Sequence, residues 1–221
     1  MIYDILDYIS IFLALLIVLP FHEFAHGFAA VKSGDLTPKL QNRYTLNPFA
    51  HFDLPGLLCF LFAGFGWAKP VPINPNNFTN YKKGCFFVSI AGVVMNYVTS
   101  FIAYPLFILA IMFMPDIGYF DEVITYSLFY IFSFGITFAI FNLLPIYPLD
   151  GFRVVDVFNK KRGPVFCFLR DKGVYILYAL IGLSVIADVL DIYQLDILGN
   201  FIGFVASYLQ IPITWFWGLI F

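Results

Sequence analysis

Long apolar runs set the first limit on this chain: residues 8–31, 84–114, 123–147, 173–190 and 197–221 are each almost free of charge. A bilayer's hydrocarbon core is about 30 Å thick and a helix rises about 1.5 Å per residue, so roughly 20 apolar residues span it. With no water inside that layer, the backbone of each run must satisfy its own hydrogen bonds, which a helix does. Composition agrees: 61% of residues are hydrophobic, 12% are charged and 29 are Phe. No soluble domain of this size needs that much apolar surface. The expected fold class is an all-α polytopic membrane protein of about five to six transmembrane helices, a single membrane-embedded domain over residues 1–221.

The opening "MIYDILDYIS" carries Asp4 and Asp7 and no Lys or Arg. A secretory signal would begin with a basic segment, so the first run is expected to be a retained span. All 12 Lys and Arg residues fall in three places. Lys32, Lys39 and Arg43 follow the first run; Lys69, Lys82 and Lys83 precede the second; Arg153, Lys160, Lys161, Arg162, Arg170 and Lys172 follow the third. The other connections hold Asp116, Asp121, Glu122, Asp188, Asp191 and Asp196 and no basic residue. Cationic loops stay on the cytoplasmic side, which predicts a multi-pass cell-membrane protein with its N-terminus outside.

The apolar stretch at 52–68, which contains "FDLPGLLCFLFAGFGW", has basic residues on both flanks and is too short to cross twice. With Pro55, Gly56, Gly64 and Gly66 breaking regular structure, it is expected to enter and leave on the cytoplasmic side as a re-entrant or interfacial loop. Irregular backbone at that depth is tolerated only against protein or a water-filled cavity. The following "GWAKPVPINPNNF", residues 66–78, contains Pro70, Pro72 and Pro75, which favour extended backbone. That segment is either a rigid connector or a strand-like edge beside the cavity.

Cys59, Cys85 and Cys167 are odd in number and far apart, which fits buried reduced thiols better than disulfides or a zinc site. A net charge of −2 and the lack of a basic patch interleaved with aromatics give no sign of nucleic-acid binding. Trp67, Trp215 and Trp217 suit interfacial anchoring.

Against this apolar background "LPFHEFAHGF", residues 20–29, stands out. It holds two of the three histidines and one of the two glutamates. Ionisable groups inside a span are costly and normally face a cavity or a partner. Four residues apart on a helix, His22 and His26 lie about 40° apart on one face and can ligate one metal ion. Glu23 is adjacent and can take a proton from water without being a ligand. Pro20 predicts a kink at the start of this helix.

A zinc ion that activates water has three protein ligands and one open position. His51 in "NPFAHFD" is one candidate for the third, although a loop histidine with a hydrogen-bonding or gating role is the simpler reading. Asp150 in "FNLLPIYPLDGFR" is the stronger candidate, because it arrives at the cytoplasmic end of the third long run. There Pro145 and Pro148 interrupt the helix and Gly151 permits a turn. Asn142, in the same run, suits either a helix-to-helix hydrogen bond or a donor to a developing oxyanion.

"HEFAH" in a first span, followed by "NLLPIYPLDG", resembles the site-2 proteases, zinc metalloproteases that cleave peptide bonds within or near the membrane. The segments "NRYTLNPFAHFD" and "FGWAKPVPINPNNF" are similar to the compact subgroup without a PDZ domain. The resemblance covers most of residues 15–155, within a protease core of about 8–155. It implies that His22, His26 and Asp150 hold one Zn2+ per chain, that Glu23 activates the zinc-bound water and that Asn142 helps hold the substrate or its oxyanion. The active site would open to the cytoplasm, and the substrate would be a single-pass membrane protein or membrane-embedded peptide. The second conserved span departs from the pattern: "AGVVMN", residues 91–96, keeps Gly92 and Asn96 but lacks the Gly-Pro pair. The C-terminal helices, about 173–221, match no motif.

Two other readings use the same histidines. A membrane metal transporter or channel would need a path open in turn to both sides, and no His or Cys follows the acidic outer loops into the membrane. A membrane-anchored peptidase cutting soluble chains usually has a larger soluble domain and often a Glu ligand. The "LDG" carboxylate and short loops argue against it.

Overall fold

A computed structural model of the protein describes residues 2–63, 66–116, 118–159 and 161–221; Gly64 and Lys160, noted above, lie outside them. In chain order the helices are α1 (Ile2–Lys32), α2 (Thr37–Leu40), α3 (Leu54–Ala63), α4 (Tyr81–Phe113), α5 (Tyr119–Leu143), α6 (Asp150–Phe158), α7 (Pro164–Val189) and α8 (Ile197–Gly218). Five of them, α1, α4, α5, α7 and α8, are long and apolar enough to cross a membrane. The expected all-α polytopic architecture is what the chain adopts.

The fourth span differs from the expectation. It begins at Pro164 rather than near 173, and α6 occupies most of the preceding loop. Arg and Lys are good helix formers, so the cationic stretch around Arg170 and Lys172 continues the helix where hydropathy alone suggested a loop. Proline suits the first helical position, where no N–H is needed. Nor does a helix start at Pro20: α1 runs unbroken through this buried residue. In a span, neighbouring helices and local adjustment accommodate the one lost backbone bond.

α1, α4 and α5 pack against one another most extensively. Ala14 and Val18 of α1, Ala103 of α4, and Ile131, Phe132, Ile136 and Ile140 of α5 form their shared core, which Ile213 of α8 completes. Small residues let the backbones approach. A side chain at Gly135 would run into Ser100 Oγ and the Asn96 carbonyl. Ser100 Oγ lies 3.1 Å from the Asn96 carbonyl of its own helix and 2.8 Å from the Phe132 carbonyl of α5.

The Trp217 indole donates to the Phe101 carbonyl at 2.9 Å and the Trp67 indole to Asp53 at 2.6 Å, so both N–H groups are used within the protein. Trp215 is exposed. The cysteines are free thiols, but none is buried: Cys59 faces outward and Cys85 and Cys167 are half-buried.

α3 is a ten-residue helix, about 15 Å long and too short to cross. The chain on either side of it closes a hairpin: Phe52 and Ala68 form an antiparallel bridge, and Gly56 and Gly66 pack without room for a side chain on either. Phe60 packs edge-on against Phe134 and Phe138 of α5, and Phe52 stacks on Phe12 of α1. Phe12 lies ten positions before His22 on α1, roughly 15 Å along the axis. The hairpin therefore closes on itself and packs against α1 and α5, touching α1 about 15 Å before the histidines.

From Lys69 to Asn74 the chain forms no helix or turn and runs back along α1, with Val71 against Glu23 and Gly27 and Asn74 against Asp35. We refer to residues 66–79 as the strap.

Candidate metal centre

Helix geometry brings the first two side chains together. The Nε2 atoms of His22 and His26 lie 3.0 Å apart, with the rings edge to face. The third arrives from a distance of more than a hundred residues. α5 stops at Leu143 ahead of Pro145, the chain turns, and Asp150 opens α6. Gly151 is required at the next position, because any side chain there would meet the Leu143 carbonyl at the end of α5. Asp150 Oδ2 then lies 3.3 Å from His22 Nε2 and 3.0 Å from His26 Nε2. All three residues are buried.

These donors fit a zinc ion. Metal–ligand bonds near 2.0–2.1 Å at tetrahedral angles put ligand atoms about 3.3 Å apart, close to the three separations found. His26 Nδ1 is 2.7 Å from the Val88 carbonyl, which assigns its proton to Nδ1 and leaves the Nε2 lone pair facing the other donors. Without a cation, at most one proton on His22 Nε2 would have to serve both His26 Nε2 and Asp150 Oδ2. Asp150 Oδ2 has no well-aligned hydrogen bond of its own. Arg153, half exposed, approaches the other oxygen at 3.8 Å.

α4 supplies the wall of the site. A Cβ on Gly92 would sit 2.6 Å from the Nε2 atoms of both His22 and His26. One turn further along the same helix, Asn96 is fully buried, and among the described residues neither side-chain amide atom has a hydrogen-bond partner.

Glu23 projects beside the cluster. Its Oε2 accepts the backbone N–H of Val71 at 2.8 Å, so the strap holds the carboxylate from outside the helix. His51 is buried and stands apart from the three-residue cluster. Its Nε2 donates to the Thr45 carbonyl at 2.7 Å, while its own carbonyl accepts from Lys69 N–H at 2.8 Å. Asn142, in the last turn of α5, donates to the Phe138 carbonyl of its own helix at 3.0 Å.

Sequence reasoning did not single out the Val71 amide, Asp35 or Arg43. Asp35 is buried and accepts from Thr37, Asn74 and Asn77, while buried Arg43 donates to the Lys69 carbonyl. The signal for Asp35 lay in "GDLTP": an Asp two positions before Thr, directly after a span, is an Asx-turn pattern. A backbone donor such as Val71 N–H leaves no mark in side-chain identity.

Fold and site together define a class: a polytopic helical membrane protein with a buried His-His-Asp donor cluster near the C-terminal end of its first apolar helix. Over 145 residues the chain is 37% identical to "Putative zinc metalloprotease YwhC" of Bacillus subtilis (strain 168), a match that covers 65% of this chain. It covers 66% of the relative, just under two thirds of that protein's length. No family model matches the chain, and no solved structure matches it significantly.

Proposed function

We propose that the protein is a zinc metalloprotease of the site-2 type, hydrolysing a peptide bond in a transmembrane substrate helix. The observation that carries this reading is the convergence of His22, His26 and Asp150 beside Glu23 within the membrane-embedded bundle. The relative's name supports a metalloprotease and gives no support to the transporter alternative.

His22, His26 and Asp150 would hold one zinc ion, which when bound supplies Lewis-acid polarisation of the scissile carbonyl and acidifies water. Glu23 Oε2 is engaged by Val71, which leaves Oε1 to take the proton of the attacking water and pass it to the departing amine. Water adds to the carbonyl carbon, the C–N bond breaks, and the amine leaves with that proton. Asn142 and Asn96 are the candidates for binding substrate backbone or the oxyanion, and His51 for shaping the loop beside it. A substrate helix must unwind first, because its own hydrogen bonds shield the carbonyl. The strap is the candidate edge for replacing part of those bonds by strand addition, through backbone groups other than those already held at Lys69, Val71 and Asn74.

The positions of the basic loops support a site that opens toward the cytoplasm with the N-terminus outside. Substrates are then single-pass membrane proteins or membrane-embedded peptides. The test is zinc content and cleavage of a co-reconstituted membrane helix by wild type and Glu23→Gln. The variant is expected to keep its zinc and lose cleavage by on the order of 10²–10⁴-fold. Cleavage at the wild-type rate by Glu23→Gln overturns the reading.

A further inference from the structure

We infer that the strap is a positioning device for Glu23: its Val71 amide orients the carboxylate, and Asp35 and Arg43 anchor the strap on either side of that contact. The inference rests on the reading of Glu23 as the base.

A glutamate on the surface of a helix has three side-chain torsions and several rotamers of similar energy. A base must instead present one oxygen at one place, and a misplacement of about 1 Å costs on the order of 10²-fold in rate. Among the described residues the hydrogen bond to Glu23 comes not from α1 but from Val71 N–H, 48 positions away in sequence, at 2.8 Å. The Val71 side chain is buried over Gly27, one turn beyond Glu23, where even an added Cβ would find it at an ordinary 3.5 Å. Packing on Gly27 and bonding to Glu23 therefore fix the same strap residue against the same helix.

A backbone donor orients a side chain only if the backbone is itself held. On one side of Val71, Lys69 is fixed through both backbone groups, its N–H to the His51 carbonyl at 2.8 Å and its carbonyl to Arg43 Nη2 at 2.5 Å. On the other, Asp35 Oδ2 accepts the Asn74 N–H at 2.7 Å and Oδ1 accepts the Asn77 amide at 2.8 Å. The Thr37 N–H, at 3.0 Å from Oδ1, ties the same carboxylate to the start of α2. Asp35 lies just past the end of α1, so the helix that carries Glu23 also carries one of the strap's anchors. Pro70 and Pro72 flank Val71 and stiffen the span between the two anchors.

The first test reads the contact without turnover. Hydrogen–deuterium exchange at the Val71 amide is expected to be slow in the wild type and in Glu23→Gln, which keeps an acceptor oxygen, and fast in Glu23→Ala. Equal exchange in wild type and Glu23→Ala overturns the inference, whether or not the protein cleaves anything. If protection follows Glu23 but the zinc-loaded wild type cleaves no membrane helix, the tether stands and the protease reading falls.

The second test reads its consequence. Val71→Pro removes the donor and trims the side chain that packs on Gly27, and Asp35→Ala frees the far anchor. Both are expected to retain zinc and to lose kcat, on the order of 10²-fold for Val71→Pro, with KM changing far less. Wild-type kcat in zinc-loaded Val71→Pro overturns the positioning role. An unfolded Val71→Pro leaves the decision to the exchange experiment and to Asp35→Ala.

Discussion

α1, α4 and α5 on one hand and α7 and α8 on the other are all apolar helices of spanning length, yet they are built for different neighbours. In the most apolar window of each of the first three, 39% of residues are buried, against 17% in α7 and 11% in α8. The first group carries Gly92, Ser100 and Gly135 at its contacts and holds His22, Glu23, His26, Asn96 and Asn142, with Asp150 added from α6. The second presents Tyr175, Tyr178, Phe204, Tyr208 and Trp215 outward. Lipid tails are as apolar as leucine, so hydrophobicity alone does not pull two spans together. Close backbone approach and internal hydrogen bonds do. The three inner helices therefore form the packed frame of the site, while α7 and α8 leave most of their apolar surface uncovered by the rest of the chain.

Glycine substitutions break this contrast most sharply. Gly92→Ala places a methyl group 2.6 Å from both histidine Nε2 atoms. Metal affinity is expected to fall by more than the roughly 10–100-fold typical of outer-shell substitutions. Gly182→Ala in α7, where no atom lies within 4 Å of the new Cβ, should leave zinc content unchanged. Zinc analysis of the two purified variants checks the pair, and equal zinc loss in both would remove the distinction between frame and periphery.

Two isoleucines sharpen it within a single helix. Ile213 is fully buried in the core shared with α1, α4 and α5, while Ile211, two positions away on α8, is 54% exposed. Ile213→Ala leaves a cavity and is expected to cost about 2 kcal/mol, the low end of the range for such truncations. Lipid makes the transfer part of that range small. Ile211→Ala should stay within about 0.5 kcal/mol. Unfolding in detergent compares them directly.

The smallest expected effect lies outside the spans, at Asp35. Burial pushes its carboxyl pKa up, but hydrogen bonds from Thr37, Asn74 and Asn77 outweigh burial and leave it below the usual carboxylate value. A group whose folded pKa is depressed stabilises the fold above its unfolded pKa of about 4. That contribution is lost as pH falls from there through the folded value. Acid titration of stability should therefore show a component below about pH 4 that Asp35→Asn removes. An unchanged acid profile in the variant would show that Asp35 contributes no such linkage.

Much of the frame was legible because hydropathy and period act locally. Run length predicted the spans, and the spacing of His22 and His26 placed them on one face. Pro145, Pro148 and Gly151 marked the break that frees Asp150. The misjudged boundary of α7 has the same origin in reverse: Arg170, Asp171 and Lys172 look like loop by hydropathy but form good helix, and only packing shows which property prevails. The Pro20 helix start failed likewise, since a neighbour-supported span absorbs a proline that would end an isolated helix.

By itself the sequence determined the membrane class and the helical pair of histidines with its adjacent glutamate. Each depends on residues within a few positions of one another, where backbone geometry is nearly invariant. Tertiary structure alone decided that the Asp150 carboxylate meets both imidazoles, that α4 approaches them through a bare Gly92, and that Val71 N–H grips Glu23. These contacts join segments dozens to more than a hundred residues apart. Their distances come from how whole helices pack, a sum over many weak interactions that no short stretch encodes.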